Sequence, residues 1–209
     1  MNNNVTMTDI DRSLTPGDRL FIQTGSQLAW LNQAFQGFGD FADCYQNCAL
    51  TLIDGALQDR SQRDYNIYPI LFLIRHYVEL RLKELIQGAN YLDNQSADFP
   101  TGHKLQKLWN IFKIRYSEVI ENLEPGDPVI LIINDLIDEI SGLDPNSMTF
   151  RYPVDFEGNR IPKPEYINLQ NLRQVFISLC MVLDGMAMQI SHYTDSIDDM
   201  TYEAYRYYQ

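Results

Sequence analysis

Basic residues are scarce in this sequence. Sixteen Lys and Arg stand against 28 Asp and Glu, a net charge of −12. An acidic surface repels nucleic acid and anionic lipid, so neither is expected to be coated over the whole molecule, although a confined basic site is still allowed. Cysteine is also sparse. Cys44, Cys48 and Cys180 make an odd count, which reads as reduced thiols rather than a disulfide framework. Residues 1–20 are rich in Asn, Thr and Asp and lack a basic stretch followed by an apolar one, so they do not read as a signal peptide. The most apolar stretch, Ile67 to Ile74, is far too short to span a bilayer. These shortages together predict a cytoplasmic protein that stays off the membrane.

Several chemistries lack their sequence signature. No GxxxxGK[ST], GxGxxG or GxSxG motif occurs. His76 and Glu79 form an HxxE pair, the reverse of the ExxH order that a di-iron bundle uses twice. Cys44 and Cys48 are four apart, but no CxxC or HxxxH pair adds further zinc ligands, so they are expected to pack as apolar side chains. No metal and no other cofactor is expected.

What remains is helical patterning. Apolar residues make up 45% of the chain, enough for one sizeable core. From Phe41 to Ala56 they recur at steps of three and four, which predicts one buried helical face. Residues 65–92 are apolar nearly all round, as in a helix at the centre of a bundle. A third amphipathic segment covers 103–121. Asp127 and Pro128 then provide a cap and a first helical position for a helix ending near Gly142. Residues 143–166 carry four prolines and a Glu157-Gly158-Asn159 turn signal, so they read as an ordered loop with a short hairpin. Asn168 can cap the last long helix. The expected fold is all-α: a bundle of five to six helices in one domain over 1–193, then an acidic, Tyr-rich tail over 194–209.

The central helix carries the most chemistry. At about 100° per residue, Arg75, His76, Glu79 and Lys83 share one arc with Phe72, Leu82 and Ile86. Glu79 lies four residues from both Arg75 and Lys83 and can pair with either. One reading is an ion-pair ladder that fixes helix packing. The other is a site in which Arg75 binds an anion and His76, titrating near neutrality, exchanges a proton beside Glu79. The third helix is a basic island, with Lys104, Lys107, Lys113 and Arg115 and no acid over 103–116. It could be a solvated face, or it could draw a phosphate backbone or an acidic partner. His103, at its start, reads as a cap or a site residue. Arg151 sits in Phe150-Arg151-Tyr152-Pro153, where it could brace Glu79 or join Arg75 around an anion. A small-molecule or nucleotide site beside this loop is a further option. The acidic tail could also meet the basic third helix of a second copy.

Three segments together resemble bacterial HEPN-like helical proteins: Tyr68 to Leu85 (YPILFLIRHYVELRLKEL), Gly102 to Trp109 (GHKLQKLW) and the FRYP motif at Phe150 to Pro153. The resemblance implies a bundle of about five helices, a homodimer, and a role in defence or toxin–antitoxin systems, with a protein partner from the same operon. Many members are metal-independent ribonucleases in which Arg and His from both subunits meet, His activating a ribose 2′-hydroxyl and Arg steadying the phosphate. Their motif is Arg, four to six intervening residues, then His. None of His76, His103 and His192 has an Arg at that spacing. The sequence therefore points to a dimeric HEPN-like interaction or regulatory module. The alternative is a divergent RNA-cleaving member with Arg75, His76 and Glu79 as catalytic residues and Lys83, His103, Lys104, Lys107, Arg115 and Arg151 on the RNA.

Overall fold

The apolar periodicity becomes five long helices in the computed structural model, which describes residues 13–31, 37–94, 96–119, 126–155 and 157–207. They are α1 (Phe38–Gln58), α2 (Arg63–Asn94), α3 (Leu105–Val119), α4 (Pro128–Leu143) and α5 (Leu169–Tyr207), with a 3₁₀ turn at Arg60–Gln62 between α1 and α2. The fold is all-α, and no strand occurs among the described residues. The expected hairpin is one antiparallel bridge, Val154 to Arg160, closed by the Asp155 amide on the Asn159 carbonyl. Gly158 takes φ +83° in its turn, a conformation that a side chain would resist.

The two expected caps form as the sequence predicts. The Asp127 carboxylate accepts from the Val129 amide at 2.7 Å, and Pro128 opens α4 where its missing N–H costs nothing. The Asn168 side chain accepts from the Gln170 and Asn171 amides at 3.0 and 3.1 Å. His103 is not a cap, because α3 begins at Leu105.

The chain divides into two units, Met1–Ala34 and Phe35–Gln209, so the single domain expected over 1–193 splits near its start. In the first unit the described residues form no helix. Thr15 and Asp18 close a turn, and Leu20, Phe21, Trp30 and Leu31 are exposed. In the second unit α2 is central, packed by α1, α3 and α5, while α4 leans on α3. Ala42, Ala49 and Ala56 are fully buried on α1; their small side chains leave room for α2 to approach. Tyr77, Leu82, Leu85, Trp109, Phe112 and Leu183 fill the centre of the core.

Two expectations fail in this unit. The residues after 193 are not a separate tail, because α5 runs on through Tyr207. Thr194 and Ile197 are half-buried, and Tyr91 donates to Asp198 at 2.6 Å. Cys44 and Cys48 are exposed rather than packed; only Cys180 is buried.

Candidate functional site

On α2 the i, i+4 spacing delivers a ladder. Arg75 donates from Nη1 to Glu79 at 3.1 Å, and Lys83 donates from Nζ to the other Glu79 oxygen at 2.9 Å. The three side chains are between 1 and 9% exposed. Charges this deep need full pairing, and the rest comes from loops. Arg75 Nη2 donates to the His103 carbonyl at 2.7 Å, and Nε donates to the Asp144 carbonyl at 3.2 Å. The Asp144 carboxylate stands 3.3 Å from Nε through Oδ2 without hydrogen-bond alignment. Its other oxygen accepts from the Met148 and Thr149 amides. Arg75 thereby ties α2 to the strap before α3 and to the loop after α4. Every nitrogen of its guanidinium is engaged.

Glu79 also meets His103, whose Nδ1 lies 2.7 Å from Oε1. Burial pushes the Glu79 carboxyl up, but hydrogen bonds from Lys83 and His103 outweigh it and hold the group below its ordinary value. The His103 side chain is 73% exposed. It bridges the buried ladder to a surface groove of about 350 Å³ lined by His103, Lys104, Lys107, Pro145 and Asn146.

His76 is not part of this network. One residue further along α2, it turns to α1, edge-on to Tyr45 at 4.4 Å and stacked on Phe72 at 5.6 Å. Burial among these rings pulls its pKa below the ordinary value, only partly offset by Glu79. Arg75 and His76 thus face different neighbours, and the expected catalytic trio does not assemble.

The remaining candidates scatter. Arg115 pairs with Asp93 at 3.5 Å and Glu118 at 3.1 Å. Lys113 is bound to Asn134 and lies over Trp109. Arg151 reaches neither Glu79 nor Arg75. Its Nε donates to the Ser147 carbonyl at 2.5 Å, and its guanidinium lies over Phe72 and Tyr152. Of the expected RNA-binding residues, only His103, Lys104 and Lys107 share a groove. A cavity of about 460 Å³ beside Phe150, with Tyr68, Lys163 and Tyr166 on its wall, marks the place considered for a small molecule. Among the described residues no group of His, Cys, Asp and Glu side chains is arranged to hold a metal.

A second charged cluster escaped the sequence reading. Arg81, 5% exposed, reaches Glu84 at 2.6 Å, Asp43 at 2.5 Å and Asp184 at 3.0 Å. Tyr77 donates to Asp184 at 3.0 Å. Burial raises the Tyr77 hydroxyl far above its ordinary value, with Cys180 and Asp184 adding to the effect. The neighbouring Cys180 thiol is pushed up to about 12, chiefly by burial. Neither is a nucleophile near neutrality. Arg81 and Glu84 are three apart on one helix, but Asp43 and Asp184 come from α1 and α5, so no local spacing reveals the cluster.

Compared with protein-family descriptions, curated proteins and solved structures, this chain finds no match.

Proposed function

We propose that the chain is a dimeric, HEPN-like interaction or regulatory module of a bacterial defence or toxin–antitoxin system, and not a nuclease. One observation carries the reading: the Arg75 guanidinium is 1% exposed, with all its nitrogens bonded inside the fold. Holding a scissile phosphate would break those bonds and strand Glu79 and Asp144 in the interior. His76 faces Tyr45 and Phe72 instead of Arg75, which leaves the pair unable to act on one phosphate. On this reading the ladder sets the bundle, and a protein partner of the same operon is met through the surface.

Incubation of the purified protein with single-stranded RNA in the presence of a chelator tests this. No cleavage above the buffer control is expected. Metal-independent cleavage that disappears in both His76→Ala and His103→Ala, each still folded by circular dichroism, would overturn it. A second reading has its own support: His103, Lys104 and Lys107 lie together on the groove at the start of α3, so this edge suits an RNA backbone without cutting it. Lys104→Glu combined with Lys107→Glu would then abolish RNA binding at low salt.

A further inference from the structure

The outward face of α5 is unlike a helix face that meets water. Between Arg173 and Asp195, about 33 Å of helix, only Asp184 carries a full charge, and it is held inward by Arg81 and Tyr77. One exposed stripe runs through Gln174, Ser178, Met181, Gly185, Met188 and His192, at steps of four, three, four, three and four, with Gln189, Ser191 and Tyr193 exposed beside its far end. That spacing is the seam of paired helices. Met181 and Met188 are 71 and 74% exposed. A solvated face normally places charged residues there.

Gly185 marks the middle of the seam. A Cβ built on it would meet nothing within 4 Å, so no neighbour in this chain requires a glycine. Within a helix, glycine costs about 1 kcal/mol relative to alanine. What it permits is close approach of another backbone.

The charge along α5 fixes the occupant and its direction. The positive end of the helix dipole lies at the start of α5, where Arg173 is already paired with Asp54 of α1, while Asp195, Asp199 and Glu203 lie toward its far end with Arg206 the base in its last turn. A parallel copy would stack acid on acid. An antiparallel copy centred on Gly185 sets Asp199 opposite Asn171, over the positive end in the first turn, and Asp195 opposite Val175, one turn further in. The same register brings Met188 of one copy opposite Val182 of the other. Val182 lines an apolar trough of about 450 Å³ between α5 and the uncovered Val129 and Ile132 of α4. The face is self-complementary, as a two-fold interface demands.

We infer that two copies of this chain pair antiparallel through the outer face of α5, crossing at Gly185, with Met181 and Met188 filling the contact beside α4. This inference rests on the reading of the protein as a paired module and names the surface that pairs it. By length and hydropathy, Leu169–Met200 would also suffice to cross a membrane, but its inward face carries the Asp184 ion pair and its outer face includes Gln174, Ser178 and His192, which favours protein over lipid.

Sedimentation of the full chain at micromolar concentration is expected to give a dimer. Met181→Glu combined with Met188→Glu is expected to give a monomer with unchanged circular dichroism. In a Cys44→Ser, Cys48→Ser background, Gly185→Cys is expected to form an intermolecular disulfide on oxidation, and Gln174→Cys is not. Cross-linking at both positions would overturn the antiparallel register. A dimer indifferent to the two glutamates would overturn this surface and leave the paired-module reading standing. A wild-type monomer would overturn both. If that monomer floated with phosphatidylethanolamine–phosphatidylglycerol vesicles, the face would be assigned to lipid.

Discussion

Arg75 and Arg81 stand six residues apart on α2, both buried, and they solve the same problem differently. Around Arg75, two cations meet two carboxylates: Arg75 and Lys83 against Glu79 and Asp144. Around Arg81, one cation meets three: Asp43, Glu84 and Asp184. The Arg75 partners Glu79 and Asp144 are 2 and 1% exposed, whereas the three acids of Arg81 are 60, 32 and 35% exposed. The balanced cluster can be dry because every charge finds its opposite. The unbalanced one must keep its carboxylates near water, and it leaves Arg81 Nε buried without a partner. Burial of a cation is thus decided by what the acids around it can tolerate.

The sharpest way to break this comparison is to remove each cation in turn. Arg75→Met leaves Glu79 and Asp144 in the interior without their common partner, and a loss of about 3–5 kcal/mol in urea unfolding is expected. Arg81→Met is expected to cost less, about 1–3 kcal/mol, since its acids can be rehydrated. The two also differ in pH response. Burial already raises the Glu84 carboxyl, with Asp43 and Asp184 adding to the effect and Arg81 opposing it. A carboxyl raised in the fold costs stability as the pH climbs through its folded value. Loss of Arg81 raises it further, so the deficit of Arg81→Met should be full at neutral pH and shrink in acid. Equal deficits for the two variants at pH 7 would remove the distinction between the clusters.

The sequence exposed these clusters unequally for a physical reason. The Arg75–Glu79–Lys83 ladder is local, a matter of helical spacing, and it reads directly from the chain. So do the caps at Asp127 and Asn168, because a cap joins residues two or three apart. The Asp144 and His103 carbonyls that complete the ladder lie 69 and 28 residues away from Arg75, and Asp43 is 38 from Arg81. No periodicity encodes such partners. Sharing an arc on a helical wheel also misled: Arg75 and His76 are adjacent, but a step of about 100° is enough to send one to the loops after α4 and before α3 and the other to the rings of Tyr45 and Phe72. The last turns of α5 were hidden by composition. Their inward positions Ile190, Thr194 and Ile197 continue the core spacing, but four Asp and Glu with several Tyr around them resemble a solvated tail.

The smallest effect tests the seam between buried ladder and surface groove. His103→Ala removes the ring that meets Glu79 but leaves the backbone carbonyl that Arg75 uses. A cost of about 0.5–1.5 kcal/mol at pH 7 is expected, well below that of Arg75→Met. Its pH profile discriminates further. Burial pushes Glu79 up, Lys83 and His103 bring it down, and the net value in the fold lies below the ordinary one. Such a carboxylate adds stability that is fully present above its unfolded value and lost as the pH falls through its folded value. Without His103 the folded value rises toward the unfolded one and that contribution shrinks. The gap between wild type and His103→Ala should therefore close as the pH falls through the folded value of Glu79, when both carboxyls are neutral. A gap that stayed constant through the acid branch would mean that His103 stabilises the strap by packing alone, leaving Arg75 and Lys83 to hold Glu79 in its charged form.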